Sequence, residues 1–225
     1  INDINGHGTG VAGAVAAVSN NQNGIASVAW QCRIMPLRIC DDAGMGISSA
    51  IADALTYAAD EGVRVANLSY RASSVLTVRQ AAQYFQAAGG VVTISSGNDS
   101  IFDNSPDNPY VLTVGATENG DALASYSNTG RNVDLCAPGS GIVTTMNGGG
   151  YGSGTGTSFA APVVAGVAAL VFSANPTLTG VEAQDLIMQT AQDLGPNGWD
   201  TSFGWGIVQA ADAVAAALEA SPGDD

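Results

Sequence analysis

The sequence predicts an α/β domain with a central, mostly parallel sheet and helices covering both faces. Three observations carry this. Short, continuous apolar runs alternate with segments of about ten to fifteen residues whose apolar positions recur at three and four, the pattern of βαβ units. Two of the runs stop in small polar residues, Asn67-Leu68-Ser69 and Ser95-Ser96-Gly97-Asn98, as strands do at the carboxyl edge of a parallel sheet, where ligands bind. The 225 residues are 46% hydrophobic, enough to bury one core. No internal repeat divides them, so residues 1–225 read as a single domain.

The elements follow in order. A helix runs from His7 to Val18, and the apolar run Arg33–Ile39 is a strand. A helix over Ile47–Ala59 leads to a strand at Val63–Ser69. A helix over Val75–Ala88 leads to the strand Val91–Ser95. The strand Tyr110–Gly115 is the last of this alternation, and short strands and turns follow to Thr145. Three helices close the chain, at Thr157–Asn175, Gly180–Thr190 and Ile207–Leu218. Glycine is frequent, at 29 residues, and falls between elements as turn punctuation.

Charge narrows the function classes. Six Lys+Arg, all of them arginine, face 20 Asp+Glu, for a net charge of −14 and a pI near 4.1. A nucleic-acid partner needs a basic footprint, and an anionic membrane surface attracts the same charges, so both are excluded as partners. Self-repulsion suits a protein kept soluble outside the cell or in salty water. No apolar run approaches the roughly 18 residues of a membrane span; the longest candidate is Val163–Phe172. The opening Ile1-Asn2-Asp3 has no leader pattern, and the chain is expected to begin inside a mature protein.

The three cysteines, Cys32, Cys40 and Cys136, are odd in number and lie in strand-like surroundings. They read as buried free thiols, with a Cys32–Cys40 or a Cys32–Cys136 bridge as the alternatives. Their spacing does not suit zinc.

Two motifs carry chemistry. The only histidine, His7, sits in Gly6-His7-Gly8-Thr9-Gly10-Val11-Ala12-Gly13, among small residues that leave its ring approachable. The glycines from Gly8 to Gly13 formally match a dinucleotide fingerprint. That fingerprint follows a strand and has an acid about 20 residues on, and here neither holds. The second motif, Gly154-Thr155-Gly156-Thr157-Ser158-Phe159-Ala160-Ala161-Pro162, runs into a long apolar helix. It reads either as an ordinary Ser/Thr helix start or as a nucleophile, with Ser158 Oγ at the positive end of the helix. It is not the G-x-S-x-G elbow of α/β-hydrolases.

His-Gly-Thr at His7, Ser-Gly-Asn at Asn98 and Gly-Thr-Ser-Phe-Ala-Ala-Pro at Ser158 stand in order, with a parallel α/β pattern between them. Together they resemble the subtilisin-like serine proteases, close to the thermitase-like branch, from His7 to about Ala213. The resemblance implies a three-layer subtilisin-like fold and a secreted serine endopeptidase acting on polypeptides. It makes Ser158 the nucleophile, His7 the general base and Asn98 an oxyanion donor beside the Ser158 N–H. It makes Ser69, Tyr70 and Arg71, with Ser95, Ser96 and Gly97, the two strands that hold an extended peptide. The loop Val18–Ile25 is similar to the family's calcium loop, with Val18, Asn21, Asn23 and Ile25 at the ligand positions; its alternative is a solvated, asparagine-rich turn. A propeptide or inhibitor is a further partner the family implies.

Three departures stand against this. The family's order is Asp, His, Ser, and the orienting Asp has no match in the six residues before His7. Asp3, the one acid there, matches a substrate-cleft position. The expectation is therefore an N-terminally incomplete catalytic domain whose missing segment, a partner of this chain, carries the Asp. Gly10 stands where a packing side chain is usual, and Arg71 and Ala72 stand where glycines are. The missing Asp, Gly10 and Arg71 are the support for an alternative, a catalytically silent subtilase-like module for peptide binding or assembly. Ser158, His7 and Asn98 all remain, and the reading kept is the serine endopeptidase.

Overall fold

The computed structural model describes residues 3–220. In chain order its elements are α1 (His7–Ala16), α2 (Ser48–Asp60), β1 (Val65–Leu68), α3 (Leu76–Ala87), β2 (Val91–Ser95), β3 (Phe102–Asp103), β4 (Leu112–Thr117), β5 (Thr129–Gly130), β6 (Leu135–Pro138), β7 (Ile142–Thr145), β8 (Tyr151–Gly154), α4 (Thr157–Ala174), α5 (Gly180–Gln189) and α6 (Ala210–Glu219). A four-stranded sheet in the order β1-β2-β4-β6 is parallel throughout. A short parallel pair, β3 with β5, and an antiparallel hairpin, β7 with β8, stand apart from it.

Both central strands, β2 and β4, are buried along their whole length. Their apolar runs lack polar alternation because both faces of the sheet are covered. Side chains still alternate across it. Val91 joins a core with Val164, Val171 and Ile187 of α4 and α5, whereas Val92 and Ile94 join one with Leu55, Val78 and Phe85 of α2 and α3. The result is three layers, helix, sheet and helix. Thr179 caps α5 in a reciprocal capping box with Glu182, as expected of a Thr-x-x-Glu start.

Some sequence expectations are corrected. Arg33–Ile39 is not a strand: it carries no ladder, and residues 33–38 are exposed with only Ile39 half-buried. A strand requires a hydrogen-bonded neighbour, and a groove of about 780 Å³ lies between this segment and β1. Its apolar Ile34, Met35 and Leu37 therefore remain 37–45% exposed. The last helix begins at Ala210 and not at Ile207, because the Ile207 backbone is engaged with Gln192 in both directions. Helix α4 has 18 residues and is apolar enough to cross a membrane by length and composition, contrary to the expectation that no stretch is long enough. It lies mostly buried against the sheet, which accounts for its composition.

All three cysteines are free. Only Cys136, on β6, is buried, and burial pushes its thiol up to about 12. Cys32 is exposed and Cys40 half-buried, because neither lies in a strand.

Candidate active site

Helix α1 presents His7 at its first position. Its start is fixed from upstream: the Asp3 carboxylate accepts from Gly6 N at 2.9 Å, Thr9 N at 2.7 Å and Thr9 Oγ1 at 2.7 Å. The Thr9 hydroxyl bond leads in holding the Asp3 carboxyl below its ordinary value. Asp3 thus caps a helix N-terminus, a role its sequence position did not suggest. Helix α1 rests on β7, where Thr144 and Thr145 hydroxyls donate to the Gly10 and Thr9 carbonyls.

The His7 ring lies edge-on to Tyr70, with centroids 6.3 Å apart, and to Phe159, at 6.1 Å. Burial lowers its pKa, and the Asp3 charge opposes this without prevailing. The shift favours the neutral imidazole, the state of a proton acceptor. At Gly10 a Cβ would meet the Phe159 ring and the Thr144 methyl at 3.4–3.5 Å, an ordinary packing distance, so the structure gives no steric reason for the glycine. Among the described residues, no carboxylate hydrogen-bonds to His7, and neither does Ser158.

Ser158 occupies the first turn of α4. Its Oγ reaches the Ser69 carbonyl at 3.4 Å, and its own carbonyl accepts from Ser69 Oγ at 2.8 Å. The bonds run on to Asn67 Nδ2, which donates to Ser69 Oγ, and to Thr93 Oγ1, which donates to Asn67 Oδ1, both at 3.0 Å. Adjacent parallel strands therefore fix the start of the helix.

Asn98 is held by one end of its amide. Its Oδ1 accepts from Thr157 N and Thr157 Oγ1, each at 2.8 Å. The same hydroxyl accepts from Gly97 N at 3.2 Å. With its oxygen held by Thr157, the residue just before Ser158, Asn98 keeps an Nδ2 that has no hydrogen-bond partner among the described residues.

The six strand-end residues come together as the parallel register requires. Leu68 lies opposite Ile94, the last rung of the ladder, so the segments that begin at Ser69 and Ser95 leave the sheet side by side, and Arg71 Cδ comes close to Gly97. Ser95 and Ser96 are buried; Ser96 Oγ donates to the Asn128 carbonyl at 3.3 Å. Tyr70 donates its hydroxyl to the Gly44 carbonyl at 2.9 Å, bringing Gly44–Gly46 to the site. Asn128 is wholly buried and supports the second strand end: its Oδ1 accepts from Asp99 N and Ile101 N, and its Nδ2 donates to Ser96 O. Sequence reading missed Asn128, whose role exists only once distant residues meet; the Gly-x-Gly at Gly44 and Gly46 was the available signal for the third segment.

The Val18–Ile25 loop is a separate, mostly exposed turn beyond α1. Asn21 Oδ1 accepts from Asn23 N at 3.0 Å, and Asn20 and Gln22 take left-handed backbone angles. Its donors are all neutral oxygens, which fit a hard cation in kind, although one already accepts a hydrogen bond.

Residues 1–206 match the model of the subtilase family. The chain is 41% identical over 215 residues to the thermophilic serine proteinase of Bacillus sp. (strain AK1), covering 94% of this chain and 53% of the relative. It is 38% identical over 215 residues to thermitase of Thermoactinomyces vulgaris, covering 93% of this chain and 75% of the relative. Among solved structures, a protease of Pseudoalteromonas arctica PAMC 21717 superposes with a TM-score of 0.82 at 35% identity, over 94% of this chain and 70% of that one. The chain spans about half the length of the first curated relatives it matches. The fold is subtilisin-like.

Proposed function

The chain belongs to the subtilase family, and from that premise we propose that it is the greater part of a secreted serine endopeptidase domain acting on extended polypeptides. The observation that carries this is the Asn98 amide, oxygen locked by Thr157 and nitrogen free, beside the helix start that bears Ser158. In this reading the peptide lies between Ser69–Arg71 and Ser95–Gly97. Ser158 Oγ attacks the scissile carbonyl carbon while its proton passes to His7. The oxyanion that forms accepts from Asn98 Nδ2 and the Ser158 N–H at the N-terminus of α4. The intermediate collapses to an acyl-enzyme as His7 returns the proton to the leaving amine. Water then attacks, again through His7 as base, and frees the carboxylic acid and Ser158.

His7 functions best beside a carboxylate that fixes its tautomer and stabilises the imidazolium. We place that carboxylate on an extended segment in the groove between β1 and residues 33–39, where apolar walls and the free edge of β1 suit an added strand. The Val18–Ile25 loop is proposed to hold calcium at Val18, Asn21, Asn23 and Ile25, through main-chain carbonyls and one amide side-chain oxygen. When bound, the ion supplies stability and no chemistry.

Labelling with a sulfonyl fluoride, followed by peptide mapping, tests the assignment. Modification of Ser158, with loss of peptide hydrolysis in Ser158→Ala, is the expected result. Hydrolysis that survives with Ser158 unmodified overturns it.

A further inference from the structure

The two strand ends proposed to hold the substrate are joined by one ion pair. Arg71 Nη1 donates to Asp99 Oδ2 at 3.0 Å, and the two side chains are 45% and 59% exposed. An exposed pair of this kind contributes little to stability, so stability does not explain it.

Geometry does. Beyond Leu68 and Ile94, where the ladder ends, Arg71 folds against Gly97. Gly97 has a φ of 107°, and a Cβ built there would stand 2.8 Å from Arg71 Cδ. The arginine's aliphatic stem thus lies against the Gly97 backbone, one residue from Asn98, whose amide is held by Thr157. The guanidinium end is fixed by a carboxylate that is itself fixed: Asp99 Oδ2 also accepts from Asn128 Nδ2 at 3.3 Å, and Asp99 N donates to Asn128 Oδ1 at 2.9 Å.

We propose that Arg71, latched across the cleft by Asp99, is the specificity-determining residue of this site: its stem excludes bulky substrate side chains and selects small, uncharged ones beside the scissile carbonyl. The inference rests on the peptidase reading above. Two consequences separate the stem from the charge. Arg71→Gly removes the stem and opens the space to large apolar side chains. Asp99→Asn keeps the stem and frees the guanidinium, which then attracts an acidic side chain.

The test uses peptides that differ only in the side chain preceding the scissile bond (Ala, Leu, Phe, Lys or Glu). Values of kcat/KM are measured for the unaltered chain, Arg71→Gly and Asp99→Asn. In parallel, the affinities of the same labelled peptides are measured by fluorescence anisotropy on Ser158→Ala and on its double variants. The unaltered chain should favour Ala. Arg71→Gly should raise the Phe-to-Ala ratio by about tenfold or more, the scale that pocket volume commands. Asp99→Asn should raise the Glu-to-Ala ratio. Cleavage or binding with an unchanged ranking overturns the role of Arg71 and leaves the peptidase reading standing. A chain that neither cuts nor binds any of the peptides overturns both.

Discussion

Ser69 and Ser158 hydrogen-bond each other in both directions, side chain to carbonyl, at 2.8 and 3.4 Å. The reason lies four residues further along α4. Pro162 sits inside that helix and has no N–H to give to the carbonyl four residues before it, which is that of Ser158. The freed carbonyl takes the Ser69 hydroxyl instead. A proline in a helix, normally a cost, thereby couples the first turn of α4 to the end of β1.

Ser69→Ala removes the side-chain donor to this carbonyl, which the i+4 proline cannot replace. An orphaned, part-buried acceptor costs about 1–3 kcal/mol, so denaturant melts should show a loss in that range. If Ser158 is the nucleophile, kcat should fall together with stability, because its backbone is no longer fixed. Ser69→Thr, which keeps the hydroxyl, should recover both.

Asn98→Ala separates two roles. An oxyanion donor acts chiefly in the transition state, so kcat should drop by about 10²–10³-fold, the range established for subtilisin's own donor. KM should change little. A change mainly in KM would make Asn98 a ground-state binding residue. Because Asn98 Oδ1 also accepts from Thr157, Asn98→Asp is the informative companion: it keeps that acceptor and loses the donor.

The central sheet was legible because β2 and β4 are covered on both faces and hence apolar without interruption. The segment 33–39 has the same apolar character and no ladder, since pairing belongs to a neighbour and not to the segment itself. Cys32 was misjudged for the same reason: without a strand to carry it inward, it stays exposed. The residues of the candidate site were legible as motifs, but their supports were not. Asn128, Thr157 and Asp3 act through bonds that turn or strand geometry creates, and a composition of Asn, Thr and Asp does not distinguish a support from a surface residue.

Asp134 offers a pH test of the core. Its Oδ2 accepts from Thr113 N at 2.6 Å, yet burial, reinforced by the nearby Asp107 charge, pushes its carboxyl well above the usual range. A raised folded-state pKa gives stability that is full below the ordinary carboxylate value of about 3.9 and is lost as pH rises through the folded value. Asp134→Asn keeps an acceptor for Thr113 and cannot ionise. Its stability relative to the unaltered chain should improve steadily with rising pH in urea melts; an advantage independent of pH would mean that the carboxyl is not the titrating group.

Calcium should raise the melting midpoint if Val18–Ile25 binds it only in the native state, by mass action. Scans with EGTA, with calcium and with matched sodium chloride separate binding from the screening that any cation gives a chain of net charge −14. Equal midpoints in calcium and sodium would leave the loop a plain turn. Asn21→Ala should abolish a genuine calcium increment.

His7, as the only histidine, gives one unambiguous imidazole signal by NMR. Burial lowers its pKa from 6.5, so the titration midpoint of residues 1–225 should lie below that value. The sign for stability follows: the unfolded chain takes up this proton first, so stability is full above pH 6.5 and is lost as pH falls through the folded-state value. A carboxylate brought against the ring would favour the imidazolium and move the midpoint up. That shift is the signature of the strand proposed for the groove beside β1. Synthetic peptides of alternating apolar residues ending in Asp or in Asn, added in trans, should differ accordingly. The Asp peptide should raise the His7 midpoint and hydrolysis together, by up to about 10⁴-fold for the latter, the scale on which an orienting Asp matters. The Asn peptide should bind without either effect. A midpoint above 6.5 in residues 1–225 alone would show that a carboxylate already faces His7, and the groove would then have no part in the chemistry.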